Sequence, residues 1–164
     1  MHDDRFRRLA TDYSPAIANY LRHRLYPLTP ADLDDLVEET LIVVWRRIDD
    51  VPQDAELAWM IGVARNVLSN ARRSRNRRRA MEASLADPMS APSAESWVLA
   101  SQAVRDAMES LTRSDRDILM MHSWEGMDGS SIAAVLSISE SAANVRLSRA
   151  KARFRRAFSE VPAP

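Results

Sequence analysis

Ser141, Asn144, Arg146, Ser148, Arg149 and Arg153 recur at intervals of one to four residues in the stretch ESAANVRLSRAKARFRR. Between them they offer hydroxyl, amide and guanidinium groups, a mixture suited to base edges near the start of the stretch and to phosphates further along. A second run, Arg65 to Arg79, holds seven arginines and no acid, with Asn66 and Asn70 among them. A third group has the opposite sign: from Leu28 to Glu56 nine acids stand against Arg46 and Arg47. Because 23 basic and 23 acidic residues cancel over the whole chain, the sorting of charge, and not its sum, indicates partners. Two basic faces suit a polyanion such as nucleic acid, and an acidic face suits a basic protein. The plainer alternative is a set of solvated helix faces.

Other chemistry finds little support. There is no cysteine, and the three histidines, His2, His23 and His122, are scattered, so neither a disulfide framework nor a metal site is expected. No glycine-rich phosphate loop and no nucleophile with its base are present, so no cofactor and no catalytic activity are expected. No apolar run approaches the roughly 20 residues of a bilayer span, and the start MHDDRFRR lacks the apolar core of a signal peptide. A cytoplasmic protein is the expectation.

The elements that must carry these residues are helices. Only three glycines occur, and no alternating strand pattern is sustained, which predicts an all-α fold. The first stretch, Asp4 to Leu25, meets Ser14-Pro15 and is either two short helices or one kinked helix. Thr29-Pro30-Ala31-Asp32 is a helix start with a capping hydroxyl, a proline in the first turn and acids facing the positive helix end. Behind it Leu33, Leu36, Val37, Thr40, Leu41, Val44, Trp45 and Ile48 form one apolar stripe, with the helix ending near Asp49 and Asp34, Asp35, Glu38 and Glu39 on its flank. After DDVPQDAE, a second stripe of Leu57, Met60, Ile61, Ala64, Val67, Leu68 and Ala71 leaves Arg65, Asn66, Asn70, Arg72 and Arg73 largely off it.

The segment 80–95, rich in Ala, Ser and Pro, reads as a flexible linker between two small helical domains, 1–79 and 96–160. The second domain begins with a helix carrying Trp97, Ala100, Val104, Ala107 and Met108. Thr112-Arg113-Ser114-Asp115 then resembles a capping box, and its helix stops at Gly126. Asp128 caps a short helix with Ile132, Ala133, Val135 and Leu136; Ser137-Ile138-Ser139 turns the chain; and Ala143, Leu147, Ala150, Phe154 and Phe158 line a last helix roughly 28 Å long. Short helix, turn and long polar helix make a helix-turn-helix, which either reads DNA or is a helical hairpin with a charged exterior.

Three stretches together resemble one family, the extracytoplasmic-function (ECF) branch of the bacterial sigma factors. DLDDLVEETLIVVWRRI is similar to its core-polymerase-binding helix, AWMIGVARNVLSNARRSRNRR to its promoter-melting helix, and LTRSDRDILMMHSWEGMDGSSIAAVLSISESAANVRLSRAKARFRR to its C-terminal helix-turn-helix. The resemblance covers most of the chain and implies a non-catalytic factor whose partners are core RNA polymerase, promoter DNA and, for many members, an anti-sigma factor. It places Asp35, Glu38, Glu39, Thr40 and Trp45 in the polymerase-docking motif, although Trp45 is also a candidate for plain core packing. It places Arg65, Asn66, Asn70, Arg72 and Arg73 on the minus-ten element, with the loop Asp49 to Glu56 receiving a flipped base and Trp59 stacking, wedging or buried. It places Ser141, Asn144, Arg146, Ser148, Arg149 and Arg153 on the minus-thirty-five element. The chain departs from the family pattern at Ser131, where glutamate is common, at Ser137, where glycine is common, and at Asn144, where lysine is frequent. A stand-alone helix-turn-helix regulator is the alternative, but it leaves the acidic helix and the stretch WMIGVARNVLSNARR without a task.

Overall fold

The computed structural model describes residues 2–82 and 102–160. The described residues hold seven α-helices and no strand: α1 (His2–Arg22), α2 (Leu33–Arg46), α3 (Glu56–Glu82), α4 (Gln102–Ser110), α5 (Arg113–Ser123), α6 (Gly129–Leu136) and α7 (Glu140–Glu160). The all-α expectation holds. The chain divides into two units, Met1–Ser96 and Trp97–Pro164. Residues 80–82 continue α3, and the rest of the expected linker lies outside the described residues, as do Trp97 and Ala100.

In the first unit, α1, α2 and α3 pack pairwise around Leu9, Ile17, Tyr20, Leu21, Val44, Met60, Ile61 and Leu68. Taking each fully buried aliphatic side chain at about 1.5–3 kcal/mol, this core is the main source of the unit's stability. Of the two outcomes left open at Ser14-Pro15, the structure has one helix with Pro15 inside it. Pro15 is exposed, so the hydrogen bond it cannot make lies on the solvent side; beside it the Ser14 hydroxyl donates to the Ala10 carbonyl.

The predicted start of α2 is a short 3₁₀ turn, Pro30–Asp32, before the α-helix proper. Asp32 accepts from both the amide and the hydroxyl of Thr29, each at 2.7 Å, and these hydrogen bonds hold its carboxyl below the usual range. At the other end the α-helix stops at Arg46 and gives way to a 3₁₀ turn, Ile48–Asp50, that tucks Ile48 into the core.

The predicted stripe on α2 is too wide. Leu36, Thr40, Val44 and Ile48 are buried, whereas Trp45 is 45% exposed. In a three-helix bundle each helix meets its neighbours along a narrow strip, and Trp45 lies about 100° around the helix from Val44. Core packing alone therefore does not account for Trp45.

In the second unit α7 packs against α4, α5 and α6. Thr112 caps α5 by accepting from the Asp115 amide at 3.2 Å, and its hydroxyl donates back to the Asp115 carboxylate at 2.9 Å. Gly126 has φ +65°, the left-handed conformation anticipated for it, but the helix itself ends at Ser123. Asp128 caps α6 by accepting from the Ser131 amide at 2.8 Å, which lowers its pKa. Ser139 caps α7 through the Ala142 amide at 3.2 Å. His122 ties the turn to α7: its Nδ1 lies 3.0 Å from the Met127 carbonyl and its Nε2 2.8 Å from Lys151 Nζ. Because Lys151 can only donate, this network assigns the ring proton to Nδ1.

Phe158 was expected in the core and is 44% exposed. Ala143, Leu147 and Ala150 are buried, but the last turns of α7 leave Phe158 stacked on half-buried Phe154 at 5.9 Å.

The turn of the helix-turn-helix explains one departure from the family pattern. Ser137 has φ 54° and ψ 46°, Ile138 N donates to Ala133 O at 3.1 Å, and Ser137 N faces Ala134 O at 3.4 Å. This is the left-handed helix ending at which glycine avoids steric strain. Ser137→Gly is therefore expected to stabilise this unit by about 0.5–1 kcal/mol, the relief of strain being partly offset by the greater freedom of glycine in the unfolded chain. A higher denaturant midpoint with an unchanged slope is the result to look for; an unchanged or lower midpoint refutes it.

Candidate nucleic-acid and protein-docking surfaces

Three surfaces collect the residues of interest. On α2, Asp35, Glu38 and Glu39 are exposed and have no ion-pair partner among the described residues. Thr40 lies beneath them, fully buried, with its hydroxyl donating to the Leu36 carbonyl at 2.7 Å. It supports the surface from inside and does not itself face a partner. Trp45 stands exposed against Phe6 in an edge-to-face pair, 5.1 Å between centroids. Ile42, 42% exposed, lies one turn after Glu38 and joins this face. The sequence reading missed Ile42, though the signal was present: with Val43 it is one of two apolar residues of this helix that fall off the stripe. An acidic edge beside an exposed apolar patch has the composition of a protein-docking surface, the charges steering and the apolar groups supplying buried area.

On α3 the same helix serves two purposes. Ala64, Val67 and Leu68 face the core, while Arg65, Asn66, Asn70 and Arg73 are exposed. The Arg73 guanidinium donates to the Asn70 side-chain oxygen, so these two are neighbours on one face. Arg72 differs from Arg73. It is half-buried and donates to the main-chain carbonyls of Tyr26 and Arg24, which pins the α1–α2 connection to α3. Trp59 is half-buried, with the Arg47 guanidinium 5.3 Å from its ring centroid.

The connection before α3 is held from α1. His2 Nε2 lies 2.8 Å from Asp49 Oδ1, and Arg8 makes two contacts to the Glu56 carboxylate, at 3.0 and 2.6 Å. Tyr13 adds a hydrogen bond to Glu56 at 3.3 Å. Glu56 is buried, and the Arg8 hydrogen bond holds its carboxyl below the usual range against the opposing effect of desolvation.

On α7, Ser141, Asn144, Arg146, Ser148 and Arg149 are all exposed on the side away from Ala143, Leu147 and Ala150. Arg153 is drawn back: its guanidinium pairs with Asp115 at 2.6 Å, the carboxylate that also closes the α5 cap. Arg146, Arg149 and Arg153 line a cleft of about 220 Å³ at the start of α5, and of the three only Arg153 has an ion-pair partner among the described residues. Toward the start of α7, Gly129 and Asn144 touch so closely that a β-carbon at 129 would overlap the Asn144 amide.

Comparison with known proteins identifies the family. Residues 9–78 match the family described as Sigma-70 region 2, and residues 101–154 the family described as Sigma-70, region 4. The chain is 28% identical over 159 residues to the RNA polymerase sigma factor NccH of Alcaligenes xylosoxydans xylosoxydans, a match spanning 90% of this chain and 83% of that protein. It is 30% identical over 123 residues to the ECF RNA polymerase sigma factor SigL of Mycobacterium tuberculosis, spanning 71% of this chain and 69% of that one. A probable RNA polymerase sigma factor, RfaY of Xanthomonas campestris pv. campestris, is 30% identical over 131 residues, 74% of this chain but only 33% of the relative's length. Among solved structures, the sigma factor RpoE in complex with the anti-sigma factor NepR from Bartonella quintana superposes with a TM-score of 0.67 at 19% identity, covering 96% of this chain and 98% of that one. CnrH in complex with the cytosolic domain of CnrY gives 0.62 at 21% identity, covering 96% and 89%. At these identities the two structures attest the fold.

Proposed function

Because the chain belongs to the ECF branch of the sigma-70 family and is a sigma factor directing promoter-specific transcription, we propose that its two units divide that task residue by residue as follows. The α2 face of Asp35, Glu38, Glu39, Ile42 and Trp45 docks on core RNA polymerase. The α3 face of Arg65, Asn66, Asn70 and Arg73, with the loop 49–56 and Trp59, takes the minus-ten element and its unstacked base. The α7 face of Ser141, Asn144, Arg146, Ser148 and Arg149 enters the major groove of the minus-thirty-five element. Arg72 braces the α3 surface through the carbonyls of Arg24 and Tyr26, and the exposed Arg153 braces α7 against α5 through Asp115. The factor has no catalytic activity of its own and acts in the cytoplasm, where its polymerase is. No helix among the described residues is long and apolar enough to cross a membrane. The RpoE neighbour is held by an anti-sigma factor, and an inhibitor of that kind is the further partner in this reading.

The observation that carries the reading is one-sided exposure. In each unit an arginine-bearing helix buries one face in its own core and exposes polar and basic side chains on the opposite face. Opening a duplex costs a few kcal/mol of stacking, and a basic face that holds the separated strand offsets it.

Purified core polymerase, mixed with this protein on genomic DNA, is expected to initiate at sites sharing a motif pair. Initiation no different from core enzyme alone would refute the reading. Arg146→Ala with Arg149→Ala is expected to lower transcription from such a promoter at least tenfold, since a base or phosphate contact of this type is worth about 1–3 kcal/mol. Unchanged output from the folded double variant would remove α7 as the reader.

A further inference from the structure

The loop 49–56 carries Asp49, Asp50, Asp54 and Glu56, a set of charges that repels a DNA strand. Three of the four have a side-chain partner: His2 lies against Asp49 at 2.8 Å, Arg47 against Asp50 at 2.8 Å, and Arg8 against Glu56 at 2.6 Å. Asp54 is exposed, with no ion pair among the described residues. Two of these three partners, His2 and Arg8, come from α1, and between them along that helix stands Arg5.

Arg5 does something different. Its side chain is 25% exposed, and its nearest acid, Glu56, lies at 3.9 Å. Its guanidinium instead donates to two main-chain carbonyls, Ile48 at 3.1 Å and Val51 at 2.6 Å. These carbonyls bracket the 3₁₀ turn Ile48–Asp50, and both Ile48 and Val51 are buried. A rigid planar fork fixes the separation of two acceptors, which a single ammonium on a flexible stem does not.

We propose that Arg5 is a positioning residue for minus-ten recognition: by clamping Ile48 and Val51 it holds the loop 49–56 in the shape that meets an unstacked base. This rests on the assignment of that loop given above. Flipping a base already costs a few kcal/mol, and a loop that had to become ordered at the same moment would add to that cost. A clamped loop avoids the addition and also holds its shape against the wrong base. Arg5 makes no described contact with Asp35, Glu38 or Glu39, so its effect belongs to melting and base choice and not to polymerase affinity.

The test uses the full chain with core polymerase. Open-complex formation is measured on a cognate duplex promoter and on the same promoter with the flipped-position base replaced, and the ratio of the two is the readout. Arg5→Ala and Arg5→Lys are each expected to lower that ratio about tenfold while binding core polymerase as the wild type does. Arg5→Lys carries the test where Arg5→Ala does not fold, because it keeps the charge and loses only the fork. A folded variant that keeps the wild-type ratio overturns the proposal. So does a variant that loses output equally on both templates, because that is the signature of general destabilisation. Gln53→Ala and Asp54→Ala, at exposed loop positions, separate the two levels of the argument. If they shift the ratio and the Arg5 variants do not, the role of Arg5 alone is wrong; if they also leave it unchanged, the loop is not the reader and the assignment beneath the proposal fails.

Discussion

Asp35→Lys combined with Glu38→Lys is expected to lower affinity for core polymerase at least 100-fold, the largest functional loss of any change on this molecule. Both carboxylates are exposed and unpaired among the described residues, so the folded unit loses only the favourable place of Asp35 in the first turn of α2, about 0.3–1 kcal/mol. Against a basic partner surface, reversal replaces attraction with like-charge contact, which costs several kcal/mol across an interface. Steering by such charges is screened within about 10 Å at 0.1 M salt, so the wild-type association rate should fall with added salt while the variant's changes little. Circular dichroism and a polymerase titration at two ionic strengths check this together. A folded variant that binds core polymerase as tightly as the wild type would remove α2 as the docking face.

Among the charged residues, the largest loss of stability is expected at Glu56. This carboxylate opens α3, where the helix dipole favours an acid, and it is 9% exposed beneath Arg8, Tyr13 and Arg5. Glu56→Ala leaves those partners facing one another without the acceptor they share. Losing hydrogen bonds to a charged group, discounted because Arg8 is half-exposed, corresponds to about 2 kcal/mol. The pH dependence follows in sign. The folded pKa of Glu56 lies below its unfolded value, so its contribution is complete above the ordinary glutamate value of about 4.3 and is lost as pH falls toward the depressed folded one. Asp32 and Asp128, likewise depressed, act in the same direction. Urea titrations of the wild type and Glu56→Gln at pH 7 and pH 3.5 should differ in midpoint at the first and converge toward the second. A gap that persists in acid would show that the carboxylate charge is not what stabilises this corner.

Helix identity was legible because it depends on local signals. Thr112 and Asp128 each cap the helix that their spacing announced, and Gly126 has the left-handed φ that its place after α5 implied. Sidedness was legible for α7, where the buried positions 143, 147 and 150 are small or aliphatic and the intervening residues are mostly polar or charged. Widths and ends were less so. Trp45 and Phe158 are apolar residues at the edges of their stripes, and periodicity does not say how far a neighbouring helix reaches.

The amino-acid sequence by itself determined the all-helical architecture, the sorting of charge into one acidic and two basic faces, and the family, because caps, apolar periods and charge runs are properties of near neighbours along the chain. Only the tertiary structure decided which members of those runs are free to act. Arg72 and Arg73 are adjacent and chemically identical, yet one is bound to the carbonyls of Arg24 and Tyr26 while the other stands exposed. Arg149 and Arg153 share a helix face, yet Asp115, 38 residues before Arg153, holds only the latter. Arg5 lies far outside every recognisable motif and grips a turn 43 residues away. A guanidinium binds whichever acceptor the fold brings within about 3 Å, and that distance is set by helix packing between segments remote in sequence.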